Sequence, residues 1–196
     1  RASEDPIAPA ALTANTTYIQ SARNIGQIFV GTTIPPPPMF NPTTSETHRL
    51  LVSGYFVSTQ SSIPNMPSLR RKILQADGTP AEEEVLVGVE DMQIQFGVDT
   101  DVPGTPVAPN PNRGSIDRYV NPNDPIIDPT NAAFNGNAEI IPVRVWLLLR
   151  GDRVENGLAD AATYQYADRA GVVFTDNVPR LLVSKTIYVR NARPTL

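Results

Sequence analysis

Three aspartates form the group in the sequence whose type and spacing suggest chemistry. Asp99 and Asp101 alternate at the end of an apolar stretch, and Asp117 follows in a loop rich in proline and asparagine. Carboxylates in flexible loops suit a hard cation such as calcium. The spacing is not that of an EF-hand, because positions 103 and 105 are proline and threonine. Alternatively, the three aspartates cap turns through neighbouring backbone amides, and both interpretations stay open at this point.

Residues suited to catalysis are few. His48 is the only histidine, no serine lies in a nucleophile motif, and the absence of cysteine excludes disulfides and thiolate metal sites. Gly88 and Gly97 lie inside a strand pattern and indicate β-bulges rather than a phosphate loop. We therefore predict no catalytic residue, no cofactor-binding residue and no required cofactor, with calcium at the three aspartates as the candidate ligand.

The composition limits both the elements and the partners. Twenty prolines in 196 residues are roughly twice the usual share of about 5%, and proline blocks helix interiors and central ladder positions. The net charge of −4 lacks the basic character expected of a nucleic-acid binder. The longest apolar run is Val145–Leu149, whereas a membrane-spanning helix needs ~20 residues. We expect no nucleic-acid partner, and we expect any leader or membrane anchor to lie upstream of Arg1.

Two stretches show the alternation of a half-buried strand. In the first, one side carries Met92, Ile94, Phe96 and Val98. In the second, the predicted inner face carries Val143, Val145, Leu147 and Leu149. Trp146 and Leu148 fall on the outer face of this second strand, with Arg144 and Arg150. A tryptophan on a polar face either covers a bare sheet edge or contacts a partner.

Further elements are predicted more weakly. Four additional strands are expected at Gln27–Val30, Arg49–Ser58, Ser68–Leu74 and Arg180–Arg190. A short helical turn is expected at Leu158–Tyr166, residues 101–137 are expected to form a loop, and Pro35–Pro38 a polyproline II segment. The predicted fold class is mainly β, an antiparallel β-sheet head with long ordered loops. Residues 1–45 are predicted to be an extended, partly β lead-in, and residues 46–196 a β-rich C-terminal domain.

Several motifs, in order, carry a family resemblance. Gly88 to Asp101 reads GVEDMQIQFGVDTD and is followed by SIDRYV at Ser115 to Val120. Val143 to Arg150 reads VRVWLLLR, and Thr186 to Arg193 reads TIYVRNAR. Together with Tyr55–Val57 and Pro67–Arg70, these stretches resemble the signature of PilW-type minor pilins of type IV pili, over roughly residues 48–193.

The resemblance implies a structural role. Such proteins are related in plan to J-type minor pseudopilins. They are pilin-like α+β proteins with a cleaved leader and a hydrophobic N-terminal helix, so this chain would be the C-terminal head. The implied location is the periplasmic face of the bacterial inner membrane and then the pilus fibre or tip. The implied partners are other minor pilins, the major pilin and a large tip adhesin, with a membrane contacted only through the missing helix.

Two functional hypotheses of different classes follow. The first is a non-enzymatic minor pilin that acts in a priming or tip complex, and so in pilus assembly, twitching motility and adhesion. The alternative is a secreted β-sandwich module that binds carbohydrate or a surface, with Trp146 and tyrosines stacking on the ligand. An acid–base hydrolase is the least supported class, and we predict that the chain is not an enzyme.

Overall fold

The computed structural model describes residues 5–22, 25–34, 44–75, 77–102, 104, 108, 110–157 and 162–189. The predicted polyproline segment Pro35–Pro38 lies outside these residues. Regular structure in the described residues is almost entirely strand, so the mainly β prediction is confirmed. The strands are β1 Thr17–Ala22, β2 Ile25–Val30, β3 Glu46–Arg49, β4 Ser53–Ser58, β5 Ser68–Leu74, β6 Pro80–Val87, β7 Val89–Asp99, β8 Arg118–Val120, β9 Glu139–Arg150, β10 Thr163–Tyr166, β11 Arg169–Val173 and β12 Arg180–Tyr188.

Two short 3-10 helices complete the regular structure, at Pro9–Ala11 and Pro125–Ile127. None of the described helices is long and apolar enough to cross a membrane. The chain divides into two compact units: Arg1–Phe56 with Leu69–Leu86, and Val57–Ser68 with Val87–Leu196.

The first unit is built on small antiparallel sheets. One sheet has the order β2-β1-β3, and its core includes Tyr18, which is 2% exposed. The Tyr18 hydroxyl accepts a hydrogen bond of 2.9 Å from the backbone N–H of Thr13. A second sheet has the order β4-β5-β6 and contributes most of its residues to this unit. In it, Arg70 pairs with Glu82 at 2.6 Å. Polar contacts at strand ends therefore supplement a small core.

The second unit is built on a four-stranded antiparallel sheet with the order β12-β9-β7-β8. Its register places Met92 opposite Leu147, Ile94 opposite Val145 and Phe96 opposite Val143. Directly opposite residues point to the same side, so the apolar sides predicted separately for these two strands form one face of the sheet. The face continues onto β12, where Val183 lies opposite Leu147.

We call this side of the sheet the apolar face. Apart from the buried Val89 and Val120, it consists of Met92, Ile94, Phe96, Val143, Val145, Leu147, Leu149, Leu181, Val183 and Ile187, with Lys185 as its one charged residue. None of these ten apolar side chains is buried: those of β7 and β9 are half-buried, and those of β12 are exposed. The prediction that they point to the inside is therefore not matched by burial within the described residues.

Buried side chains lie on both sides of the sheet: Val120, opposite Phe96, belongs to the apolar side, and Leu148 to the other. Leu148, predicted to be on the outer face, is 3% exposed, so that prediction was wrong. The hairpin β10–β11 packs on the Leu148 side, where the Tyr166 hydroxyl donates a 2.6 Å hydrogen bond to Asp91, and Asp91 lies opposite Leu148. Alternation alone could not show which side of the sheet the hairpin would cover.

Two bulges interrupt the pairing of β7 with β9, at Val89/Asp91 and at Phe96/Val98. They lie next to Gly88 and Gly97, where the sequence predicted bulges. Beyond the second bulge Val98 no longer follows the alternation of Phe96 and is fully buried. A Cβ atom on Gly97 would lie 2.6 Å from Pro142 Cγ. Glycine at 97 therefore allows the two strands to approach closely at the bulge.

Three other predicted elements differ from the structure. The single strand expected at Arg49–Ser58 is divided between β3 and β4, and β1 was not predicted. Of the helical turn expected at Leu158–Tyr166, residues 158–161 lie outside the described part of the chain, and the prediction is contradicted at Thr163–Tyr166, which form β10 by pairing with β11. Within the predicted loop 101–137, residues Arg118–Val120 form β8.

Candidate functional site

The structure brings the three predicted aspartates together. Carboxylate oxygens of Asp99, Asp101 and Asp117 all lie within 4.8 Å of one another, in the second unit. Asp99 ends β7 and is fully buried, Asp101 is half-buried and Asp117 is exposed. The contact arises because Asp117 directly precedes β8, which pairs with the end of β7. We call this group the aspartate cluster.

Backbone amides and a threonine hydroxyl already contact the aspartate cluster. Asp99 accepts hydrogen bonds from the N–H of Asp101 at 2.8 Å and from the N–H of Gly114 at 2.6 Å. Asp117 accepts from the N–H and the hydroxyl of Thr100 at 2.7 and 2.6 Å. The bonds from Thr100 favour the charged carboxylate and lower the pKa of Asp117 below its usual value. Asp99 and Asp117 therefore act as turn caps in the structure.

Arg113 provides the positive charge next to the cluster. Its Nε lies 3.9 Å from Asp99 Oδ2, and its guanidinium also binds Glu139 and the carbonyl oxygen of Asp101. The side chain is only 8% exposed. Arg118, the residue after Asp117, instead lies 3.9 Å from Asp124. The Arg113 guanidinium thus fixes the loop that carries the cluster.

One oxygen of the cluster has no donor. Asp101 Oδ2 is inaccessible to solvent and accepts no hydrogen bond. Leaving a buried charged oxygen unpaired is costly. A cation held by Asp99, Asp101 and Asp117 together would compensate the charge of this oxygen. Turn capping does not explain why Asp101 Oδ2 is buried without a donor.

Trp146 lies on the polar side of the sheet, with Arg144, as predicted. Its indole N–H donates to Gln95 Oε1 at 3.2 Å, and its ring centroid lies 6.1 Å from that of Tyr166. The Arg144 guanidinium lies 3.5 Å from the ring centroid of Tyr119 and 5.9 Å from that of Trp146. Intramolecular contacts therefore occupy the side chain that the carbohydrate-binding hypothesis needs as a free stacking platform.

A second charged group, which the sequence did not reveal, joins β12 to β7. Arg180 binds Glu90 through two hydrogen bonds of 2.7 and 3.0 Å and Asp176 through two of 2.7 and 2.8 Å. Its guanidinium lies 3.5 Å from the ring centroid of Phe174, and its side chain is 1% exposed. Arg150 approaches Glu90 at 3.5 Å. We call these five residues the Arg180 cluster.

The lone histidine lies beside a glutamate of its own strand. His48 Nε2 lies 3.2 Å from Glu46 on β3, and the Glu46 side chain is 66% exposed. The described residues define a β-sheet head whose charged clusters fix turns and strand ends.

The chain belongs to the Type IV Pilus-assembly protein W (PilW) family, whose model matches residues 54–191. The resemblance read from the motifs is thereby confirmed. No curated protein and no solved structure matches the chain. Family membership indicates a part in type IV pilus assembly, interaction with other pilus components, and a periplasmic or pilus location.

Proposed function

We propose that this chain is the head of a non-enzymatic minor pilin that joins other minor pilins in the complex that starts or tips the fibre. The observation that carries the proposal is the family match over residues 54–191. In this proposal the partners are other minor pilins, the major pilin and a large tip adhesin. Twitching motility and adhesion follow from the presence of fibres.

The apolar face supports a subunit that is completed by another element. A sheet must bury its apolar side against a second layer, and the ten apolar side chains of this face are half-buried or exposed. A long N-terminal helix of the kind that the pilin resemblance implies would supply that layer. The helix would also hold the head in the inner membrane and later in the fibre.

Deletion of the gene is expected to reduce surface piliation and twitching motility, because a missing priming or tip subunit lowers the rate at which fibres start. Counting fibres by electron microscopy and measuring twitching zones test this. The control is complementation with an anchored full-length copy, which should restore both. Full rescue by the head alone, secreted without a helix, would contradict the fibre-subunit proposal.

We also propose that the aspartate cluster binds calcium. Support comes from the three converging carboxylates and from the unpaired Asp101 Oδ2. The opposing account is turn capping, in which the amides and Arg113 compensate the charges without a metal. The two accounts predict different responses to calcium.

Calcium is expected to raise the melting temperature of the head, because a ligand that binds only the folded state stabilises it by about 2.7 kcal/mol at one hundred times Kd. Melting curves with calcium, magnesium and chelator measure the effect. Asp101→Asn is the matched variant, because it keeps the side-chain size and removes the unpaired charge. Equal midpoints in all three conditions would leave the aspartates as turn caps and end the metal proposal.

A further inference from the structure

Among the residues that the structure describes, strand β12 lies at the end of the four-stranded sheet and pairs along only one of its two edges. The N–H of Val189 donates to the carbonyl of Ile141 at 2.9 Å, and the N–H of Gly151 donates to the carbonyl of Pro179 at 2.8 Å. On the β12 side, the residues in these two bonds are Val189 and Pro179, and both are odd-numbered. Hydrogen-bonded and non-hydrogen-bonded pairs alternate in an antiparallel ladder. The even-numbered residues of β12 therefore direct their backbone N–H and C=O groups away from β9, to the edge that we call the free edge. These residues are Leu182, Ser184, Thr186 and Tyr188.

The free edge lacks the features that usually protect such strands. Native edges are blunted by proline, bulges or several charges, yet β12 pairs with β9 without a register shift over nine residues. Leu181 is 61% exposed, Ile187 54% and Tyr188 68%. Arg180 is engaged in the Arg180 cluster, so Lys185 is the one exposed charge of the strand. At the Arg180 end, the Tyr164 hydroxyl donates to the Arg180 carbonyl and marks where the free edge begins.

The charge of Lys185 indicates whether the strand that pairs with the free edge comes from a second copy of this chain or from a different protein. Antiparallel self-pairing of β12 (Arg180–Tyr188) overlaps most when it is centred on Ser184 or on Lys185. In the first register the two copies of Lys185 become diagonal neighbours on one face, and in the second they lie directly opposite each other, where like charges destabilise the pair. Lys185 itself is exposed. A strand that brings its own carboxylate fits the edge better than a second copy does.

We propose that the free edge of β12 takes up a strand from a different pilus protein, which carries alternating apolar side chains and a carboxylate beside Lys185. Main-chain hydrogen bonds to the even-numbered residues would provide affinity, and the side chains would provide specificity. The identity of the partner as a pilus protein rests on the proposed function. The pairing itself rests on the geometry of the edge.

The probe is a capped nine-residue synthetic peptide of alternating valine and threonine with one central glutamate. In NMR spectra of the ¹⁵N-labelled head, the amide signals of the four even-numbered residues should shift on its addition. Ser184→Pro removes an outward N–H that the β12–β9 ladder does not use, so the head should stay folded and bind the peptide roughly tenfold more weakly or worse. Ser184→Val keeps the N–H and should bind like the wild type.

The charge requirement has its own exchange experiment. Lys185→Glu should weaken binding of the glutamate peptide roughly threefold, and the same peptide with lysine in place of glutamate should restore it. Equal binding by wild type and Ser184→Pro, or peptide shifts confined to other residues, would overturn the proposal.

The cellular measurement separates this inference from the proposed function. A chromosomal Ser184→Pro variant of normal abundance should show reduced piliation, and Ser184→Val should not. If gene deletion reduces piliation but Ser184→Pro does not, the strand pairing is wrong and the minor-pilin function stands. If deletion itself has no effect, the proposed function fails, and the peptide experiment still decides whether the edge binds strands.

Discussion

Replacing Arg180 with methionine is expected to lower the free energy of unfolding by about 3 kcal/mol. Removing one partner of a buried charge pair costs about 3–5 kcal/mol, and the Arg180 side chain is 1% exposed. The lower end applies because Arg150 remains 3.5 Å from Glu90 and because Asp176, 45% exposed, becomes solvated. Urea denaturation of the head measures the change.

The matched control is Arg153→Met. Arg153 is 86% exposed and pairs only with its neighbour Asp152, at 3.8 Å, so its loss should cost less than about 0.5 kcal/mol. Equal unfolding midpoints for the two variants would show that the Arg180 cluster does not hold β12 to β7.

Acid should weaken the wild type more than the Arg180 variant. The hydrogen bonds from Arg180 hold the pKa of Asp176 well below its usual range. A carboxylate with a depressed pKa stabilises the folded state fully above its unfolded pKa, about 3.9, and loses that contribution as pH falls towards the folded value. Arg180→Met removes the largest cause of this difference, so the stability curves of the two proteins should begin to converge as the pH falls below about 4.

Gly88→Ala is expected to cost about 3 kcal/mol. Gly88 has φ +87°, where a side chain costs roughly 1–2 kcal/mol, and a Cβ there would lie 2.9 Å from the carbonyl oxygen of Arg150. Relief of that contact would disturb the 2.8 Å hydrogen bond from the Arg150 N–H to the Gly88 carbonyl. Overpacking of this kind typically costs a further 1–3 kcal/mol.

Gly157→Ala separates the two effects. Gly157 lies in the same unit at φ +88° with no atom within 4 Å of the added Cβ, so it should show only the conformational cost of roughly 1–2 kcal/mol. Calorimetric melting of both variants gives the difference. If Gly157→Ala costs as much as Gly88→Ala, the close approach to Arg150 contributes nothing.

Local alternation predicted the strands but not their surroundings. Met92, Ile94 and Phe96 lie on one side of their strand and Val143, Val145, Leu147 and Leu149 on one side of theirs as expected, because side-chain direction in a strand follows from a period of two. Burial depends on which segments pack on each side of the sheet, such as the hairpin β10–β11 beside Asp91, and that follows from tertiary packing. The prediction of the inner side failed for that reason.

The charged sites show the same division. The three aspartates could be grouped from the sequence because they lie in one turn-rich segment. The structure brings them together because Asp99 ends β7 and Asp117 directly precedes β8, which pairs with β7. Glu90 and Arg180 are separated by 90 residues, and neither lies in a recognisable motif. Only the order of the strands in the sheet reveals that they meet.

The order β12-β9-β7-β8 has a consequence for the time at which the head can fold. β7 and β9 are separated by a long loop, β12 comes near the end of the described chain, and the helices among the described residues are too short to offer a local nucleus. Lengthening a loop adds only ~0.6 kcal/mol per doubling, so this topology slows folding more than it weakens the product. Sheets with such distant pairings form in roughly milliseconds to seconds. Until β12 is synthesised, β9 remains an apolar edge without its neighbour, so the newly made chain needs a chaperone or rapid completion to avoid aggregation.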